Sequence, residues 1–196
     1  VKDGILLDMT GLKKINSFNE KSGLINVQAG ISLDEFLKFT VPKGWFIPTS
    51  PGTKYVTIGG AIANDIHGKN HHKFGSFCNS VKKMKILSSK GEIKLLENPD
   101  DEIFRATCGG LGLTGVILEA EIELTKIKSS YLDVETIKFN NLEEFFEIEK
   151  QSIENYEFTV SWIDLTNEGK YFGRGLFQRA NWADDNNFVP HSSFRI

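Results

Sequence analysis

Two cysteines, five prolines and two methionines are all that this chain of 196 residues contains of those types. Cys78 and Cys108 stand thirty residues apart and outside any CxxC pattern. Neither a disulfide framework nor a thiolate zinc site is favoured, and a reducing compartment is compatible. No run of about 18 apolar residues occurs, so no transmembrane segment is expected. The opening Val1-Lys2-Asp3-Gly4-Ile5-Leu6-Leu7-Asp8 also lacks the long apolar stretch of a secretion signal. Charge of one sign is missing too. The 23 Lys+Arg against 26 Asp+Glu give a net charge of −3, which argues against nucleic acid as the main partner.

What is present is the balance of an ordinary globular protein, 40% hydrophobic and 25% charged, which excludes disorder and collagen. The length allows one large domain, or one domain and part of another. Because the chain opens on Val1 and runs at once into strand-like Gly4 to Met9, it reads as starting inside a domain of a longer protein.

Periodicity gives a coarse map. Leu24 to Val27 reads as a strand, and Ser32 with Glu35 forms a capping-box signature ahead of Leu33, Phe36, Leu37 and Val41 at helical spacing. Pro42 and Gly44 stop that helix. Ser80 to Ser88 and Glu92 to Leu96 read as strands joined by a polar turn, and Pro99 is expected at the first position of a short helix. After Gly115, Leu118, Ala120, Ile122 and Leu124 alternate with Glu119, Glu121 and Glu123, the pattern of a strand with one buried face. From about Ser129 a second unit follows: a strand to Phe139, a helix capped by Asn141 with Glu144, a strand through Val160 and Trp162, and a return over Lys170 to Gln178.

Ten of the 18 glycines fall between Gly52 and Gly115, so this third of the chain is where the backbone must turn or approach something. Gly110-Leu111-Gly112-Leu113-Thr114-Gly115 satisfies G-x-G-x-x-G, but a helix precedes it and a strand follows, the reverse of the dinucleotide-binding arrangement. Two readings stay open: glycines that end a helix, or a backbone lying flat against a ligand in another fold. Around Thr57-Ile58-Gly59-Gly60-Ala61-Ile62-Ala63-Asn64, small residues are expected to leave main-chain N–H and C=O groups accessible to a large planar or phosphorylated ligand.

Three of the four histidines, His67, His71 and His72, sit within six residues of each other beside Lys69. A metal site on His67 and His71 is disfavoured: Gly68 and Asn70 break a helix there, and no third ligand has suitable spacing. A hydrogen-bonded structural role is the default for each histidine, and His72 and His191 receive no more. Seven lysines (69, 73, 82, 83, 85, 90 and 94) face one acid, Glu92, between His67 and Lys94. For Lys82, Lys83 and Lys85 a solvated strand face is the simplest reading. Lys69, between Gly68 and Asn70, is placed to meet a phosphate or polarise a hydroxyl.

Pro51-Gly52-Thr53, Thr57 to Ala63, His67-Gly68, Gly109-Gly110 and Gly112 to Ile117 together resemble the FAD domain of the vanillyl-alcohol oxidase and p-cresol methylhydroxylase family. The stretch Asp65-Ile66-His67-Gly68-Lys69-Asn70-His71-His72, with Gly75-Ser76-Phe77, resembles a branch that oxidises the ribose 2-hydroxyl of a polyprenyl-phosphate sugar. The similarity runs from about Leu6 to Leu124 and more weakly from Trp162 to Arg174.

The resemblance implies an α+β fold: a two-part FAD-binding domain over 1–126, lacking its first pyrophosphate loop, then the start of an α+β substrate domain over 127–196. It implies FAD as cofactor, lined by Gly52, Thr53, Thr57, Gly59, Gly60, Asn64, Ile66, His67 and Gly68, with Ile117 on the adenosine side. Asn64 departs from the family's usual residue. His67 and Lys69 would be catalytic, facing flavin and substrate, with Trp162 in the pocket wall. Hydride would pass from a sugar or polyol carbon, including that of a lipid-linked sugar, to flavin N5, and an electron acceptor would regenerate the cofactor. Alternatives are an aldonolactone or hydroxy-acid oxidase, or a non-catalytic nucleotide- or sugar-binding module. Location in the cytoplasm or peripherally at a membrane is expected.

Overall fold

The computed structural model describes residues 4–186 and 188; His191 lies outside them. Two compact units emerge, one made of residues up to 68 and 76–126, the other of 69–75 and 127 onward. Among the described residues no helix is long and apolar enough to cross a membrane.

The first unit is built on a five-stranded antiparallel sheet of β1 (Ile15–Phe18), β2 (Leu24–Gln28), β4 (Val81–Leu87), β5 (Ile93–Leu96) and β6 (Val116–Glu123), in the order β1-β2-β6-β4-β5. Two short strands, β3 (Trp45–Phe46) and β7 (Thr125–Lys126), pair separately. Helix α1 (Leu33–Thr40) starts at the expected capping box: the Glu35 N–H donates to Ser32 Oγ at 3.2 Å, and the Ser32 N–H donates to Glu35 Oε2 at 3.3 Å. It buries Leu33 and Phe36 completely, and burying a Phe side chain contributes roughly 2–3 kcal/mol. Helix α2 (Ile58–Ala63) sends Ile58, Ala61 and Ile62 into the same core as Ile25, Val27, Phe77, Met84, Ala120 and Ile122.

Three local expectations change. Gly4 to Met9, read as strand-like, lies outside any strand, with Ile5 and Leu6 almost wholly exposed. Helix α4 spans Glu102–Thr107, with Asp101 rather than Asn98 at its N-cap. The Asp100 N–H donates to Asn98 Oδ1 at 3.0 Å and the Asp101 N–H to the Asn98 carbonyl at 3.1 Å, so Pro99 sits in a turn before the helix. In β6 the alternation is interrupted. The register against β4 slips between Lys85↔Glu119 and Ile86↔Ile117, a bulge at Leu118. Ala120 and Ile122 stay inside as expected, but Ile117 takes the buried place and Leu118 turns partly outward.

The second unit is a three-stranded antiparallel sheet, β8 (Leu132–Phe139), β9 (Phe158–Asp164) and β10 (Arg174–Trp182), in the order β8-β10-β9. Helix α5 (Leu142–Ile153) begins where Asn141 Oδ1 accepts the Glu144 N–H at 2.9 Å. Phe145 packs on Phe139 and Phe177, both fully buried. The segment 69–75, containing the four-residue helix α3 (His71–Phe74), belongs to this unit although it lies in the chain among residues of the first.

Candidate functional site

The glycine-rich segment around α2 is held by main-chain hydrogen bonds at both ends. At its start the Ile58 N–H donates to the Ile31 carbonyl (2.9 Å), Gly59 to Ala29 (2.7 Å), Gly60 to Thr57 Oγ1 (3.1 Å) and Ala61 to the Thr57 carbonyl (2.8 Å). At its end the Ala61 carbonyl accepts from Ile66, that of Ile62 from Asp65 and Gly109, and that of Ala63 from Leu111. The expectation that these N–H and C=O groups stand open to a ligand is therefore corrected. They stitch α2 to the β2–α1 connection and to the 109–115 loop, satisfying the orphan groups of a short helix. Glycine serves approach instead. A Cβ on Gly59 would lie 3.1 Å from the Ala29 Cβ, and one on Gly110 would lie 2.1 Å from the Ala106 carbonyl oxygen.

The same stitching holds open a cleft of about 340 Å³. Thr57, Gly59, Gly60, Ala63 and Asn64 form one wall; Leu111, Gly112, Gly115, Val116 and Ile117 form another; Met9 and Ala29 complete it. The lining fits the FAD that the family resemblance implies. Gly112 (φ +78°) has nothing within 4 Å of where a Cβ would be, so a side chain there would meet open space. Gly52 is equally open. Within the cleft, Gly59, Gly60, Gly112 and Gly115 give walls poor in side chains that a flat, extended ligand can approach.

Of the residues named from sequence, Thr57, Gly59, Gly60, Asn64 and Ile117 line this cleft. Gly52 and Thr53 lie on an exposed loop pinned to α1: the Asp34 N–H donates to the Lys54 carbonyl at 2.8 Å, and Lys54 Nζ meets Asp34 Oδ1 at 2.9 Å. Hydrogen bonds from Lys38 and Lys54 hold the Asp34 carboxyl down at about 2. The Asn64 side-chain amide donates to the Gly60 carbonyl at 2.8 Å. Ile66 and Gly68 are half-buried and His67 is exposed on the loop after α2.

Lys69 is exposed and opens the segment that joins the second unit, where its carbonyl accepts the Thr159 N–H at 2.9 Å. His72 Nε2 pairs with the Tyr156 carbonyl at 3.1 Å, and Lys73 Nζ donates to the Glu154 carbonyl at 3.2 Å. Beside them Glu157 accepts from Trp182 Nε1 at 3.1 Å, and burial pushes its carboxyl above the ordinary range. Trp162, more than half exposed, stands on β9 opposite Leu176 and lines a separate depression of about 480 Å³ with Lys138, Asp164 and Arg174.

His67 and His71 do not share a helix, since α3 begins at His71, and among the described residues no group of three His, Cys, Asp or Glu side chains is placed to hold a metal. Three of the seven lysines in the strip are neutralised, Lys82, Lys83 and Lys85 pairing with Glu123, Glu97 and Glu119. Sequence reasoning missed Met9, Ala29 and Leu111 as lining residues, and Asp65 as a closing one. Asp65 has φ +41° and accepts the Cys78 N–H at 3.0 Å. Its one signal was an acidic residue between a glycine-rich helix and His67.

Residues 1–97 match the family model described as an FAD binding domain. The chain is 40% identical over 183 residues to decaprenylphosphoryl-beta-D-ribose oxidase of Mycolicibacterium smegmatis, covering 92% of this chain and 40% of that protein. It is 29% identical over 150 residues to D-arabinono-1,4-lactone oxidase of Saccharomyces cerevisiae, covering 72% of this chain and 28% of that protein. An alkyldihydroxyacetonephosphate synthase structure superposes with a TM-score of 0.70 at 16% identity, over 88% of this chain and 38% of the other, a likeness of fold. The chain thus spans two-fifths or less of the length of these proteins.

Proposed function

Since this chain belongs, through its FAD binding domain, to the vanillyl-alcohol oxidase and p-cresol methylhydroxylase family, we propose that it is the cofactor-binding part of an oxidoreductase acting on a sugar or polyol hydroxyl. The substrate class is a polyprenyl-phosphate-linked pentose. The observation that carries the reading is the glycine-walled cleft beside α2, in a chain whose similarity to the ribose oxidase runs through 92% of its length. In this reading the FAD-binding domain is 1–126, less the segment 69–75 that packs with the second unit, and 127–196 begin a substrate domain.

In this reading Gly52, Thr53, Thr57, Gly59, Gly60, Asn64, Ile66, His67, Gly68 and Ile117 bind the cofactor. Bound FAD supplies the hydride acceptor at N5. His67 and Lys69 orient and polarise the substrate hydroxyl, and one of them, or a residue beyond Ile196, takes its proton. Trp162 supplies an apolar wall for the sugar. An electron acceptor completes the cycle, and the protein works in the cytoplasm or peripherally at a membrane.

A second reading, an aldonolactone oxidase, is favoured by the similarity to the arabinonolactone enzyme; a non-catalytic binding module is the third. The test uses the full-length protein. A yellow preparation absorbing near about 450 nm marks bound flavin, whereas a colourless one that FAD cannot reconstitute supports the binding module. Anaerobic addition of a polyprenyl-phosphoryl pentose should bleach the flavin, and bleaching by a free aldonolactone alone would select the second reading. His67→Ala should lower turnover by about 10²-fold or more, and unchanged kinetics with an unchanged flavin spectrum would remove His67 from the site.

A further inference from the structure

Cys78 and Cys108, thirty residues apart in sequence, meet in the first unit. The Ile62 carbonyl oxygen accepts from Cys78 Sγ at 3.6 Å and from the N–H of Gly109, the residue after Cys108, at 3.0 Å. The two thiols lie close enough to act on each other electrostatically. Both side chains are free, half-buried and packed against the core cluster. Cys78 lies in the 3₁₀ turn Phe77–Ser80, whose backbone is tied to Asp65 and Ile66; Cys108 caps α4 and opens the 109–115 loop that walls the cleft.

We propose that Cys78 and Cys108 are a peroxide-reactive dithiol whose oxidation links the 109–115 loop covalently to the turn after the His67 segment. The site lies beyond the flavin chemistry and does not depend on the proposed substrate. Cys108 is the attacking sulfur, because the Cys78 S–H is the one spent on the Ile62 carbonyl, and the neighbouring Cys78 shifts the Cys108 thiol downward against burial and the Asp65 charge. Cys78 is held protonated, because Cys108, burial and Asp65 all push its thiol upward.

In the first step the Cys108 thiolate attacks one oxygen of hydrogen peroxide, forming an S–O bond, breaking O–O and releasing hydroxide. In the second, Cys78 loses its proton and attacks the sulfenic sulfur; the S–S bond forms and the S–O bond breaks, releasing hydroxide that is protonated to water. Two thiols and one peroxide give one disulfide and two waters; sulfur is oxidised by two electrons and the peroxide is reduced by two.

Peptide mapping of the full-length protein tests this. After a modest excess of hydrogen peroxide, denaturation and alkylation, the peptides holding Cys78 and Cys108 should appear joined, two hydrogens lighter than their sum, and separate again with dithiothreitol. Recovery of both cysteines as alkylated thiols, or of Cys108 as sulfinic acid beside an alkylated Cys78, would overturn the proposal. Cys78→Ser keeps a hydroxyl donor for the Ile62 carbonyl and removes the resolving thiol. In that variant Cys108 should be trapped by a sulfenic-acid reagent such as dimedone, with little trapping in the unaltered protein. Equal trapping in the two would sink the assignment.

Discussion

The two units are fastened by different means. In the first, the segments that wall the cleft are joined backbone to backbone: Gly59 to Ala29, Gly109 to Ile62, Leu111 to Ala63. In the second, whose strands pair through their own backbone ladders, side chains add the fastening between strands and helix. Arg179 donates through Nε to Glu135 at 2.8 Å and through Nη1 to Ser152 at 3.2 Å, and it stacks over the Tyr156 ring at 4.4 Å. A backbone-stitched region needs residues with no side chain at the points of approach. A side-chain-stitched region tolerates small backbone changes but depends on a few long polar groups. The cleft in the first unit is a by-product of its method, because the glycines that allow close approach also leave bare surface.

The largest effect should follow a side chain added where backbones approach. At Gly115, φ is +148° and a Cβ would lie 2.5 Å from the Leu87 carbonyl oxygen. Gly115→Ala should cost about 3 kcal/mol or more, combining strain with a clash that no rotamer relieves, as read in a urea titration. Gly112→Ala is the control. Its φ of +78° carries a cost of about 1 kcal/mol, yet its Cβ meets nothing within 4 Å, so it should weaken FAD binding out of proportion to stability. Equal destabilisation by the two would mean that approach is not what Gly115 provides.

In the second unit Arg179→Ala should cost about 1 kcal/mol, through the lost charge-assisted bond to Glu135 and the lost donor to Ser152, whose hydroxyl keeps its bond to the Ile148 carbonyl. Arg179→Lys should recover less than half, since one ammonium cannot reach both oxygens and stack on Tyr156. Full recovery by lysine would show that charge alone matters there, and would weaken the contrast between the units.

Much of this was legible before any coordinates, for reasons of range. Capping boxes and caps are local, so Ser32 with Glu35 and Asn141 with Glu144 announced α1 and α5. The α+β class and the cleft residues Thr57, Gly59, Gly60, Asn64 and Ile117 followed from motif likeness. What escaped depends on residues distant in sequence. Ala29 accepts from Gly59 across thirty positions, the bulge at Leu118 is set by a register against β4, and Cys78 meets Cys108 only because Ile62 lies between their segments. The strip of lysines looked cationic along the chain because its partners, Glu97, Glu119 and Glu123, come from downstream. Lys69 to Gly75 leave for the second unit through contacts with Glu154, Tyr156 and Thr159, more than eighty residues on.

The smallest effect concerns a loop beside the first unit's cleft that an ion-pair cluster secures. The Gly52–Thr53 loop is pinned by Asp34, whose carboxylate meets Lys54 at 2.9 Å and Lys38 at 2.8 Å. Folding lowers this carboxyl from 3.8 to about 2, so the folded chain binds fewer protons than the unfolded chain across that interval. The stabilisation is complete above the unfolded value, drains as pH falls from 3.8 toward about 2, and is gone below. Asp34→Asn should therefore cost on the order of 1 kcal/mol or less at neutral pH, after allowance for solvent screening of a surface triad. The stability gap between the unaltered protein and this variant should narrow on acidification and shrink in high salt. A gap that stayed constant from about pH 7 to about pH 2 would assign the loop's anchoring to the Asp34 N–H and the Lys54 carbonyl, extending backbone stitching to the whole ligand region of the first unit.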